Sequence, residues 1–95
     1  MRLIGVKVLH DYQLHHADIS SRLDSWIQEV EEAQWMTTHD VKARYSSADF
    51  FENRYVVINL KGNKYRLLFQ VDYQRKTVRV KAIGAHSEYS KWKLE

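Results

Sequence analysis

The stretch Leu60-Lys61-Gly62-Asn63-Lys64-Tyr65 constrains this chain more than any other, because it fixes a strand register. Gly62 and Asn63 are residue types that tolerate positive φ, as a two-residue hairpin loop requires. With Lys61 opposite Lys64, Leu60 faces Tyr65, Ile58 faces Leu67 and Val56 faces Phe69, while Asn59 faces Arg66 and Tyr55 faces Gln70. A second loop at Tyr73-Gln74-Arg75-Lys76 sets Val71 opposite Val78, Phe69 opposite Val80 and Leu67 opposite Ala82. Three antiparallel strands follow, at roughly 54–60, 64–72 and 77–83. One face is apolar; the other collects Asn59, Arg66, Gln70, Arg79 and Lys81.

The apolar face needs a covering layer, and the amino-terminal half supplies one. Ile19, Leu23, Ile27 and Val30 recur at helical spacing over Asp18 to Gln34, with Trp26 and Ala33 beside them and Asp18 placed to cap the start. Trp26 and Trp35 read as core or core-edge aromatics. Ahead of this helix, Met1 to Lys7 reads as a short strand that Gly5 interrupts, and Val8 to Leu14 as the beginning of another helix. Met36 to Asn53 reads as an irregular connection. Within it Thr37-Thr38 caps a short turn over Asp40 to Arg44, and Phe50 and Phe51 close one end of the core. After the strands, Ser87 is placed to cap a short helical turn carrying Tyr89, Lys91 and Trp92. A chain of 95 residues is one domain, 1–95, with room for a single core and a shallow groove.

Charge is divided unevenly along the chain. Residues 1–53 carry five Lys or Arg against nine Asp or Glu, whereas residues 54–95 carry ten against three. The sheet half is therefore the basic half. That segregation suits a polyanionic partner, nucleic acid before membrane; the competing reading is sheet edges guarded by Lys and Arg. No apolar window is long enough to span a bilayer and no leader-like apolar core follows Met1, so the expected location is the cytoplasm. With no Cys, thiol catalysis and thiolate metal sites are excluded. His10, His15 and His16 cluster near the first helix, but His15 and His16 are adjacent rather than a turn apart. They read as solvated histidines, and no metal or cofactor is expected.

Phosphate-directed chemistry survives this sifting. Arg66 lies mid-strand on the mixed face, where its fork of donors suits a phosphate and the charge that develops on it; the plainer alternative is an ion pair with Asp72 or Glu52. His86 lies just past the last strand, a loop position where an imidazole, a side chain suited to acid or base work, can meet a ligand. Tyr89, three residues on, shares its side if the segment turns helically, either as a proton-transfer or stacking group or as a ring packed over the sheet end. Lys64, Arg79, Lys81 and Lys91 rank as phosphate-positioning charges. Together these residues suggest metal-free RNA cleavage, in which a 2′-hydroxyl attacks its own adjacent phosphate.

The run Tyr55-Val56-Val57-Ile58-Asn59-Leu60-Lys61-Gly62-Asn63-Lys64-Tyr65-Arg66-Leu67, then Val71-Asp72-Tyr73, then Gly84-Ala85-His86-Ser87-Glu88-Tyr89, resembles the HigB family of type II toxins, within the RelE/ParE-like superfamily. The likeness covers most of the chain, including Trp35 to Lys42 and Ser47-Ala48-Asp49. It implies an α+β RelE-like fold, with an amino-terminal strand and two helices packed on one face of a small, mainly antiparallel sheet and a short carboxy-terminal helical turn. It also implies an mRNA endonuclease acting at the ribosome and neutralised by a cognate helix-turn-helix antitoxin. The catalytic residues it implies are Arg66, His86 and Tyr89. The family commonly has Thr before that His and Asp after that Tyr, where this chain has Ala85 and Ser90. Two other functions stay open: a toxin that poisons gyrase without cutting RNA, and a non-catalytic basic RNA-binding module.

Overall fold

The computed structural model describes residues 1–89 of the chain. Five strands form one sheet in the order β1-β5-β4-β3-β2: β1 is Arg2–Ile4, β2 Asp49–Phe50, β3 Tyr55–Leu60, β4 Tyr65–Asp72 and β5 Thr77–Ala85. Four helices accompany them: α1 (Lys7–Gln13), α2 (Ala17–Glu32), α3 (Thr38–Arg44) and α4 (His86–Tyr89). All neighbouring pairs are antiparallel except β1 with β5, which run parallel. The fold is the expected α+β arrangement, with the helices against one face of a mostly antiparallel open sheet.

The β3–β4 register agrees with the pairing deduced from the hairpin at every position, from Tyr55 opposite Gln70 to Leu60 opposite Tyr65. Turn chemistry differs in one detail. Positive φ falls at Lys61 (54°) and Gly62 (67°), not at Gly62 and Asn63. The Lys64 N–H still closes the turn on the Lys61 carbonyl at 3.3 Å, so the register is unchanged. At the second turn the Asp72 carboxylate accepts the Arg75 N–H at 2.9 Å, a side chain standing in for backbone.

Val56, Ile58, Leu67, Phe69, Val71, Val78 and Val80 pack in one cluster with Leu9 of α1, Val41 of α3, and Ile19, Leu23, Trp26 and Val30 of α2. The Trp26 and Phe69 rings meet with centroids 5.2 Å apart. Burial of this apolar stripe against the sheet, rather than helix propensity, holds α2 in place. Alternation sends Val57 and Leu68 to the opposite face, yet both are buried there, only 1% and 7% exposed. That second face is a basic surface over an apolar floor.

Three expectations fail for identifiable reasons. The connection between α3 and β3 holds a two-residue strand, β2, pairing Asp49 with Val57 and Phe50 with Val56. A pairing that short leaves no periodicity in the sequence. Phe50 and Phe51 are more than a third exposed and do not close the core. Asp18 is not the cap of α2: His16 holds that position, and Asp18 sits inside the first turn, where its carboxylate meets the hairpin.

Candidate active site

Arg66 and His86 reach one point from different elements. Arg66 stands between Tyr65 and Leu67, both part of the core, so alternation turns its side chain to the face away from α2. His86 arrives from the end of β5. Ala85 pairs with Tyr65, and the His86 N–H then donates to the Lys64 carbonyl at 3.1 Å, carrying the ladder one residue past the strand. Arg66 Nη2 lies 3.1 Å from His86 Nε2. A guanidinium has donors and no acceptor, so this contact requires a lone pair on Nε2 and the ring proton on Nδ1. A permanent cation thus adjoins an imidazole in the form that accepts a proton.

A bulge in β5 makes this meeting possible. Phe69 faces Val80 and Leu68 faces Ala82, which leaves Lys81 as the extra residue. Leu67 consequently faces Ile83, where simple alternation predicts Ala82. Beyond the bulge the two faces exchange, and Gly84 lies opposite Arg66. A Cβ at Gly84 would stand 3.1 Å from Glu88 Oε1 and 3.3 Å from Glu88 Cβ and Cδ. Glu88 needs that space, because its Oε1 accepts the Ala85 N–H at 2.8 Å. This is the return half of a capping box, the third helical residue reaching back to the residue before the helix. Ser87, expected as the cap, lies inside α4 instead. The Glu88 bond sets the angle at which α4 leaves β5, and with it the position of His86.

The remaining candidates are distributed unevenly. Lys81 Nζ lies 5.9 Å from the centroid of the half-buried Tyr55 ring, reaching across the open face. Arg79 is exposed on that face further along, in register with Gln70. Lys64 is drawn to the α2 side, where Asp18 Oδ2 takes its Nζ at 2.8 Å and the Lys61 Nζ at 3.4 Å, and the Tyr65 hydroxyl donates to Asp18 at 2.9 Å. The Lys64 and Tyr65 bonds hold the Asp18 carboxyl well below the usual carboxylate range, and Asp18 in turn raises the Lys64 ammonium. Tyr89 ends α4, and Lys91 lies outside the described residues.

Asp72 and Glu52 were the alternative partners for Arg66; the structure gives Asp72 to Arg54 at 3.8 Å and Arg75 at 4.0 Å. Nor do the amino-terminal histidines gather. His10 bonds Gln13, while His16 stacks flat on Tyr12 with centroids 3.7 Å apart. Burial, then the charge of Glu88, push the Tyr12 hydroxyl up to about 12. Among the described residues no three His, Cys, Asp or Glu side chains come together as a metal site would need.

Sequence reasoning passed over Glu88, Gly84 and Tyr55. For Glu88 a signal existed in its spacing from Ala85, and for Gly84 in its place inside a strand. Nothing local marks the bulge at Lys81. Set against known proteins, the chain matches the family model described as HigB_toxin, RelE-like toxic component of a toxin-antitoxin system, over residues 19–92. No curated protein matches it.

Proposed function

Because the chain belongs to the RelE-like HigB toxin family of toxin–antitoxin systems, we propose that it is a metal-independent endoribonuclease that cuts mRNA, at the ribosome, and is silenced by a helix-turn-helix antitoxin. Family membership carries the toxin and an antitoxin partner. The contact at 3.1 Å between Arg66 Nη2 and His86 Nε2, on the basic face, supports the chemistry. An incoming phosphate draws the Arg66 guanidinium onto its non-bridging oxygens, where planar donors match the charge that grows as phosphorus becomes five-coordinate. Released from Arg66, His86 Nε2 is free for proton transfer. The 2′-oxygen bonds to phosphorus as its proton leaves. The bond to the 5′-oxygen breaks as that oxygen takes a proton, leaving a 2′,3′-cyclic phosphate and a 5′-hydroxyl. Tyr89 is assigned as the second proton-transfer or base-stacking group, and Lys81 and Arg79 as positioning charges. An mRNA-cutting toxin with a helix-turn-helix antitoxin would act in the cytoplasm, the location we propose; among the described residues no helix is long and apolar enough to cross a membrane.

The test is induction of the parent, Arg66→Ala and His86→Ala chains without antitoxin, with transcripts mapped by primer extension. The parent is expected to arrest growth and leave 5′-hydroxyl ends, and each variant to cut about 10²–10³-fold more slowly. Both variants cutting like the parent would overturn the site. Intact transcripts with stalled supercoiling would assign the toxin to gyrase instead.

A further inference from the structure

Beyond the Arg66–His86 pair, the same face holds a second basic feature at its opposite end. A cleft of about 290 Å³ opens there, with Arg54, Gln70, Asp72, Arg75 and Arg79 in its walls. Three arginines and one carboxylate line it. Asp72 holds Arg54 and Arg75 only loosely, at 3.8 and 4.0 Å, so both keep donors for a further acceptor. Their side chains are 60% and 83% exposed, which leaves them open to a ligand. Backbone geometry aims Arg54 at this place: Asn53 and Arg54 both take left-handed φ, at 61° and 65°. Gln70 Nε2 fastens that bend by donating to the Asn53 carbonyl at 2.7 Å.

Arg66, Leu68, Gln70 and Asp72 all project from one side of β4, so cleft and Arg66 lie on a single line, with Gln70 at its near wall about 13 Å and Asp72 about 20 Å from Arg66 at the strand rise. Between them stands Tyr55 with Lys81 over its ring. The order along the face is cation, aromatic, cation. A single-stranded nucleic acid has the matching order, phosphate, base, phosphate, and bridges such a span in about two to three nucleotides. We infer that the Arg54–Arg75–Arg79 cleft is a second phosphate-binding subsite, which grips the backbone of an RNA strand about two to three nucleotides from the bond held at Arg66. This inference rests on the nuclease reading of Arg66 and His86 and adds to it a direction for the strand, across Tyr55 toward the β4–β5 turn.

Binding of 2′-O-methyl oligonucleotides, which cannot be cut, tests the subsite by fluorescence anisotropy with the full chain. One probe of about three nucleotides is too short to occupy both ends, and one of about eight reaches both. The double variant Arg75→Ala/Arg79→Ala, at two exposed positions, is expected to weaken the longer probe about tenfold or more and the shorter less than about twofold. Its log–log salt slope should be shallower by about 1.4, two single-strand phosphate contacts being lost. Equal binding by parent and variant at both lengths would overturn the subsite and leave the nuclease reading standing. No RNA binding by the parent at either length would overturn both. Polyglutamate held by the parent, released by the variant and preferred over RNA would assign the cleft to an acidic protein segment and overturn the inference.

Discussion

Tyr65 and Arg66 are neighbours on β4, yet they belong to different chemical worlds. On the Tyr65 side the charges at the hairpin meet their complement. Asp18 receives the tyrosine hydroxyl and two lysines, and behind them lies an apolar core reaching from Leu60 to Val30. On the Arg66 side a guanidinium meets an imidazole, and further along Arg54 and Arg75 stay 3.8 and 4.0 Å from Asp72, with Arg79 lining the same cleft. Charges that close on one another hold a fold together; exposed guanidiniums such as those of Arg54 and Arg75, held only at that distance, are available to a ligand. The alternation of one strand separates the two.

The largest expected effect tests that separation directly. Phe69→Ala on the core side removes a fully buried ring packed against Trp26, and should cost about 3–5 kcal/mol in denaturant unfolding. Arg66→Ala, three residues earlier on the other side, should leave Tm within a few degrees while slowing cleavage about 10²–10³-fold. If Arg66→Ala unfolds the chain as Phe69→Ala does, the two sides are not functionally distinct. Arg66→Lys sharpens the contrast, because a lysine keeps the charge and loses the fork. Cleavage about 10²-fold below the parent is expected, and near-parental cleavage would show that charge alone suffices.

A smaller effect is expected at Gly84. Adding a methyl there with Gly84→Ala presses on Glu88 at 3.1–3.3 Å, so α4 must tilt or the Glu88–Ala85 bond must lengthen. About 1 kcal/mol of stability should be lost. Cleavage should fall about tenfold through displacement of His86, with little change in KM for RNA. A variant with lowered Tm and unaltered kcat would show that Glu88 supports the helix without positioning the histidine.

These contrasts also mark how far the sequence could be read. The β3–β4 register was legible because a turn with Gly62 and strict alternation fix pairing together, and this alone put Arg66 opposite Asn59 and away from the helices. Strand β5 was legible only as far as Val80. A bulge at Lys81 answers to the curvature of the whole sheet, and the residues around it carry no turn signal. The Arg66–His86 contact was therefore foreseeable as two residues of suitable chemistry, though not as a distance. The fate of Lys64 was hidden for a related reason. Its partner Asp18 lies 46 residues away, and α2 had to be docked on the sheet before the two could meet.

Asp18 provides the finest test of the closed side, through its pH dependence. Its carboxyl is depressed in the fold, so its stabilising contribution is fully present above the unfolded value near 3.8 and is lost as pH falls below that toward the lower folded value. Lys64 behaves in the mirror sense. Asp18 raises its pKa above 10.5, so that contribution is present below 10.5 and is lost as pH climbs through the folded value. Asp18→Asn removes both, and parent and variant should differ by a small, constant Tm gap across the neutral range. The gap should narrow below about pH 4 and again in strong alkali. Asp40 and Asp72 are depressed as well, by backbone N–H groups of Met36 and Arg75, but they are shared by both chains and cancel from the difference. A gap that stays constant to the acid limit, or widens there, would mean that Asp18 acts through packing or through hydrogen bonds its protonated form also makes, and that the hairpin is not held by its charge.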